Sequence, residues 1–479
     1  MALVHLTALA TCALLLVVLR ATFNSWRLQR KLPPGPPGAP SIENILQLPK
    51  VRAHHKSTEW AKTYGGLYSF HIGPATAAVV TDRALVKELF DKRSALYSSR
   101  PTSHVGQNII TGGDHLLVMD YSDNWRLFRK TINQHFSASM CEKTHVRLPE
   151  AEHTQMMRDF LLHPGKHMLH TKRTTNSIIM SLLFARGMKR LYSSFHRRAI
   201  EARRRAASAS QYRTRSFLDD VLDLQEKLGL TDNQVDVLGG VMMEGGSDTG
   251  STMLLVMIQA LALHPEIQTR AQAELNAVCG EYRSPTWEDF PRLPYINLVV
   301  KETMRWRPVT PLAFPHALSK DDWVNDYFLP KGTAVFLSVW GLHHDENVFP
   351  NPDRFDPSRF EGRHKLAFDY AASSEYMQRD HYIYGAGRPL CPGIHLSERS
   401  MFLGAAKLLW AVNFEPARDE KGNPIPIDTD PTTGYTEGFL VCPRPYKCNV
   451  APRSSAHADT ILREFARTES EVLSQYAAP

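Results

Sequence analysis

The 479-residue chain is short of cysteine. It has six, Cys12, Cys141, Cys279, Cys391, Cys442 and Cys448, with no Cys-x-x-Cys pair. So few scattered thiols exclude a disulfide framework and suit a reducing compartment. No Asn-x-Ser/Thr glycosylation acceptor occurs, which agrees. No basic run interleaves with aromatics, so nucleic acid is not an expected partner. The densest basic stretch, His196 to Arg205, reads as one solvated helix face. Long apolar runs are also scarce. Beyond the N-terminus the longest, Met253 to Leu263, has eleven residues and stops at His264-Pro265. About 20 are needed to span a bilayer.

One such run does open the chain. Ala2 to Leu19 is nearly all apolar, and Arg20, Arg27, Arg30 and Lys31 follow it. No Lys or Arg precedes it, so the positive-inside rule places the remainder in the cytosol. A cleaved signal peptide would have a basic n-region and a small-residue cleavage site, and both are missing. Residues 1–31 are therefore read as a single-pass anchor with its basic flank. Leu32-Pro-Pro-Gly-Pro-Pro-Gly38 is read as a stiff, extended hinge. Net charge is +7, which favours anionic partners such as an acidic protein or lipid headgroups.

Helical patterns dominate the body, residues 39–453. Trp125 to Phe136 is amphipathic, and Thr231-Asp232 caps a helix running to Leu263. Pro265 to Cys279 is closed by Gly280, and Leu298 to Trp306 is ended by Pro308. A helix of about Pro392 to Val412 follows Cys391. Strand-like stretches occur at Tyr68 to Thr81 and Thr333 to Val339. The expected class is mainly α with a small β region. Residues 454–479 read as a polar, peripheral tail.

Four segments carry chemistry. In Tyr384-Gly-Ala-Gly-Arg-Pro-Leu-Cys-Pro-Gly393, Gly385 and Gly387 permit a tight turn close to a flat ligand. Pro392 suits a helix start, which puts Cys391 at a helix N-terminus, where free N–H groups lower a thiol's pKa. Glu302 and Arg305 share one helix face at i, i+3 spacing, with Arg359 further on in Pro352-Asp-Arg-Phe-Asp-Pro-Ser-Arg-Phe360. Glu244-Gly-Gly-Ser-Asp-Thr249 puts two glycines inside a helix, each costing about 1 kcal/mol relative to Ala. Trp125 and Arg129 share a helix face, and His316 follows Pro315.

Together, in this order, these segments resemble the cytochrome P450 family: the haem-binding cysteine loop, the Glu-x-x-Arg pair with its meander arginine, the distal Gly-Gly-x-Asp-Thr and the Trp-x-x-x-Arg pair. SPTWEDFPRLPYINLVVKETMRWRP, PLAFPHAL and EGFLVCPRPYKC look like fungal enzymes of specialised metabolism, in the group that includes O-methylsterigmatocystin oxidoreductase. The resemblance implies the family's fold behind a single N-terminal membrane helix, at the endoplasmic reticulum. It implies haem b with Cys391 as the axial iron ligand, O₂, and electrons from NADPH through cytochrome P450 reductase. The activity implied is insertion of one oxygen atom into a lipophilic small molecule, an intermediate of secondary metabolism. Thr249 and Asp248 would hold water and relay protons. Trp125, Arg129 and His316 would donate to haem propionates. Glu302, Arg305 and Arg359 would form a structural triad. The pocket walls implied are Ser103 to Leu117, Met242 to Thr249, Val309 to Phe314 and Thr433 to Phe439. A haem-thiolate isomerase or dehydratase is the alternative from another class, and Asp248-Thr249 argues against it.

Three features depart from the family pattern. Tyr384 stands where Phe is usual, and Pro389 where a basic residue usually meets a propionate. Asn176 to Thr249 spans only 73 residues, with the shortfall near Gly187 to Leu191. That region roofs the substrate pocket, so a poorly active haem-binding protein is a further alternative.

Overall fold

The computed structural model describes residues 31–39, 42–184 and 215–476. The anchor run, the basic cluster at 196–205 and the shortfall at 187–191 all lie outside them.

The body is built around one central helix. In chain order the main elements are α1 (Ala53–Tyr64), β1 (Leu67–Ile72), β2 (Ala75–Val80), α2 (Asp123–His135), α3 (Arg147–Leu162) and α4 (His167–Phe184). Then come α5 (Phe217–Leu228), α6 (Asp232–Leu263), α7 (Pro265–Cys279) and α8 (Pro294–Trp306). The short strands β3 (His316–Ala317), β4 (Asp322–Val324), β5 (Tyr327–Leu329) and β6 (Ala334–Leu337) follow. The chain closes with α9 (Ile394–Ala411), β7 (Val412–Pro416), β8 (Cys448–Pro452) and α10 (Ser455–Glu471). The main sheet has the order β1-β2-β6-β3, with β2 and β6 parallel and the outer pairs antiparallel. Helix with small sheets is the expected class.

α6 shows how the sequence sets an element. Thr231 accepts from the Gln234 N–H while Gln234 Oε1 accepts from the Thr231 N–H, a reciprocal cap. His264 adopts a non-helical conformation before Pro265, which ends the helix. The second half, Met253 to Ala262, is buried all round, as a core helix must be. Each large apolar side chain there contributes about 1.5–3 kcal/mol by leaving water. α4, α8 and α9 pack against α6. This packing fixes the relative positions of the glycine-bearing first half of α6 and the cysteine loop before α9.

Three expectations change. The proline hinge, expected as a stiff, extended spacer, is part of the body: Ser69 donates from its N–H to the Pro34 carbonyl (2.9 Å) and from its hydroxyl to that of Pro33 (2.6 Å), which lays the segment on β1. The C-terminal tail is largely helical. α10 buries His457, Thr460, Ile461 and Phe465 and packs on α3 and α9. α9 begins at Ile394 rather than Pro392, so Cys391 and Pro392 form the turn ahead of it. Among the described residues no single helix is long and apolar enough to cross a membrane.

Candidate active site

The cysteine loop is held at several points. The Cys391 N–H donates to the Tyr384 carbonyl (2.8 Å). Gly385 and Gly387 have φ of +78° and +69°, the left-handed region that favours glycine. A Cβ on Gly387 would also lie 2.1 Å from the Phe90 carbonyl oxygen, so glycine is required twice over. The Gly387 N–H donates to Asp91 Oδ1 (2.9 Å). Arg379 donates to the Gly385 carbonyl.

Behind the loop lies the buried triad. Arg305 donates to both oxygens of Glu302, at 2.7 and 2.8 Å, and both side chains are wholly buried. Arg359 Nε approaches Glu302 Oε1 to 3.5 Å, and the Asp356 N–H donates to the same oxygen at 2.8 Å. Arg305 also donates to the carbonyls of His343 and Pro352. The forked pair thereby ties α8 to the segment ahead of the cysteine loop.

Cys391 lines a cavity of about 270 Å³ between α6, α4, α2 and the 309–316 segment. Leu116, Leu117, Met242, Thr249, Val309 and Phe314 lie in its wall, from three of the four segments expected there. The fourth, Thr433 to Phe439, contributes nothing to the lining. Thr175, Ile178 and Ile179 of α4, not expected there, also line the cavity. The two α6 glycines have separate tasks. A Cβ on Gly246 would lie 2.5 Å from the Ile179 side chain, whereas one on Gly245 would meet nothing within 4 Å. Gly246 lets α4 approach, and Gly245 leaves the helix backbone bare.

Thr249 lines the cavity and donates to the Gly245 carbonyl (2.8 Å). Asp248 does not line it; its side chain is exposed on the adjoining face of α6. Trp125 and Arg129 are both in the lining, with the guanidinium 5.4 Å above the indole ring. Arg129 donates to the carbonyls of Arg388 and Leu390.

His316 also lines the cavity, but it is not the donor expected. Its Nδ1 faces the Tyr97 carbonyl (2.7 Å), an acceptor, so that nitrogen carries the proton. Burial, then the Arg100 charge, pushes its pKa down to about 3. The neutral ring has only a lone pair left at Nε2. Arg100, which sequence reasoning missed, stands there instead. It is buried and donates to the carbonyls of Phe314 and Pro315. Burial and the Arg129 charge pull its pKa down to about 10. Arg100 lies in a loop without periodicity, and no local signal marks it.

Among the described residues no carboxylate pairs with Arg100 or Arg129. Two guanidiniums in a largely apolar cavity lack anionic partners, and a buried charge is costly unless paired. Haem b carries two carboxylates and a metal that takes a thiolate. The donor set fits it.

The sequence model of the cytochrome P450 family matches residues 33–191 and 183–450. The chain belongs to the cytochrome P450 family. It is a monooxygenase of that family. It is 80% identical to the cytochrome P450 monooxygenase yanC of Aspergillus niger and 68% identical to macC of Penicillium terrestre, in each case over 100% of both chains. A zebra fish cytochrome P450 solved with abiraterone superposes with a TM-score of 0.68 at 24% identity, covering 84% of this chain and 100% of that one. That likeness speaks for the fold alone.

The comparisons also locate a gap in this P450. The alignments with yanC and macC run to 537 positions against a chain of 479, so at least 58 positions of each relative face a gap here. The family match breaks into two pieces that meet at 183–191. That is where the sequence runs short. At the cysteine the expected pKa depression is reversed. Burial pushes the Cys391 thiol up, against the Gly393 N–H and the Arg129 charge, which pull it down. Desolvation of the thiolate outweighs the turn's N–H groups.

Proposed function

We propose that this P450 binds haem b through Cys391 and oxidises a lipophilic small molecule of fungal secondary metabolism. The observation that carries the reading is the pairing, in one apolar cavity, of a cysteine on a glycine-built turn with two guanidiniums that lack carboxylates. Haem, once bound, supplies reductive activation of O₂, with one atom going to substrate and one to water. Cys391 supplies the thiolate. Arg100 and Arg129 hold the carboxylates, and the Trp125 indole packs beneath Arg129. Thr249, bonded to the Gly245 carbonyl beside the bare backbone, presents a hydroxyl that holds water in the cavity. The apolar wall from Leu116 to Phe314 favours a neutral substrate.

Electrons come from NADPH through a membrane-bound reductase. The exposed basic residues of α2, Arg126 and Lys130, support docking of an acidic partner on that face. The apolar run Ala2 to Leu19 with its basic flank supports a single-pass anchor in the endoplasmic reticulum, with the catalytic body in the cytosol. Sequence texture supports placement beside the O-methylsterigmatocystin oxidoreductase group.

A reduced carbon-monoxide difference spectrum tests the reading. A strongly red-shifted Soret band in the wild type, absent from Cys391→Ala, is expected. A wild type that takes up no haem overturns it. The gap at 183–191 favours a second reading, in which the protein binds haem but couples oxygen reduction poorly to substrate oxidation. Reductase-dependent NADPH consumption that yields peroxide and no product, with extracts of the producing fungus as substrate source, is its signature.

A further inference from the structure

Tyr384 brings to the loop a hydroxyl that a phenylalanine would lack. The ring lines the cavity, and its hydroxyl shares a hydrogen bond of 3.0 Å with the Ser397 hydroxyl in the first turns of α9. The Tyr384 carbonyl meanwhile accepts the Cys391 N–H at 2.8 Å. Ser397 is fixed in turn, its N–H donating to the Gly393 carbonyl at 2.8 Å. Cys391 therefore sits seven residues after one end of a side-chain staple and six before the other.

The residues next to the cysteine do not tie the loop to α9. Arg388 turns its guanidinium to the Tyr121 hydroxyl. Pro389 has no donor, and Leu390 is apolar. Between Gly387 and Cys391, Arg388 on Tyr121 and Arg129 on two carbonyls tie the loop to its surroundings, but no side chain there ties it to α9.

We propose that Tyr384 and Ser397 are positioning residues for the Cys391 thiolate. Their bond closes the loop onto α9 and compensates for the missing side-chain anchor at Pro389. The proposal rests on the reading of Cys391 as the haem ligand. Neither residue reacts. Both limit how far the turn carrying the sulfur can swing when iron is reduced and a strong distal ligand binds.

The test uses the full-length haem-loaded protein and carbon monoxide as the distal ligand. Tyr384→Phe, Ser397→Ala and the double variant are compared for haem content and for the rate at which the reduced carbonyl complex passes from the red-shifted to the shorter-wavelength form. A single neutral hydrogen bond corresponds to about a twofold to tenfold change. Haem content should be unchanged, both single variants should convert faster by that factor, and the double variant should convert no faster than either single. Such non-additivity marks one shared bond. Singles as stable as the wild type, or effects that multiply in the double, overturn the staple while leaving Cys391 as ligand. A wild type with no red-shifted band overturns the ligation reading and the staple with it.

Discussion

On the cysteine side of the cavity, backbone and side chains are tied at almost every step: Cys391 to Tyr384, Gly387 to Asp91, Gly385 to Arg379, and the triad behind. On the α6 side the ties are fewer. Thr249 bonds within its own helix, Asp248 is exposed, and the family match breaks at 183–191. The difference follows from what each side must resist. A thiolate ligand has to stay in place against burial, which opposes its charge, so its surroundings are over-determined. The distal side has to admit substrate, oxygen and water. Substitutions on the cysteine side should therefore remove haem or stability, and those on the α6 side should change only where electrons go.

The largest effect is expected at Glu302→Gln. Arg305 would keep its charge at full burial with no carboxylate, and breaking a buried pair costs about 3–5 kcal/mol. That is a large part of a typical domain's stability of about 5–15 kcal/mol. Yield of haem-containing protein should fall to near zero, whereas Thr249→Val should leave it intact. Equal yields would remove the contrast between the two sides.

Arg100→Ala should come next. Loss of a charged hydrogen-bonding group costs about 1.5–3 kcal/mol, or roughly a tenfold to hundredfold faster haem loss to apomyoglobin. His316→Phe should change that rate little, because the neutral ring's one N–H is already given to the Tyr97 carbonyl.

Glu398 sharpens the comparison through pH. Burial above all, with Asp380 adding to it and Lys301 opposing, pushes its pKa up to about 8 from 4.5. Folding therefore favours the protonated acid, and this stabilisation is complete below about pH 4.5 and lost as pH rises towards 8. Its Oε2 has no hydrogen-bond partner, while the Phe368 N–H donates to Oε1 at 3.2 Å. Glu398→Gln should flatten the fall in melting temperature between pH 5 and 8. An unchanged slope would show that the carboxyl is not kept protonated.

What the sequence disclosed depended on how local the determinant was. α6 was legible at both ends because its reciprocal cap and its His264-Pro265 stop lie within the segment. Glu302 and Arg305 were legible as a pair because helix geometry alone puts them on one face. His316 was misread because its tautomer is set by the Tyr97 carbonyl, more than two hundred residues away. Arg100 was missed for the same reason, its partners being the carbonyls at 314 and 315. α10 was read as tail because its buried stripe is thin: only Ile461 and Phe465 are large and apolar, and His457 and Thr460 fill the other inward positions. Its docking also involves Lys407, buried on α9, which donates to Ser284 Oγ (2.8 Å), beside the Glu464 carboxylate that the Ser284 N–H contacts at 3.0 Å. No periodicity predicts such a relay.

The smallest expected effect lies on the α6 side, at Asp248. The Thr249 hydroxyl is in the cavity wall, and the Asp248 carboxylate faces outward into water. On the proposed reading, removing the first deletes a group that would hold water inside. Removing the second deletes only an exposed carboxylate outside the cavity lining. In reductase-supported turnover, Thr249→Val should raise the fraction of NADPH electrons recovered as peroxide severalfold, with total consumption little changed. Asp248→Asn should alter both by less than about twofold, since an exposed carboxylate beside open solvent is readily replaced by water as a proton carrier. A large loss of turnover in Asp248→Asn, with haem content unchanged, would mean that the carboxylate swings inward during the reaction. The α6 side would then be as tightly specified as the cysteine side, by a conformation that forms only with haem and oxygen in place.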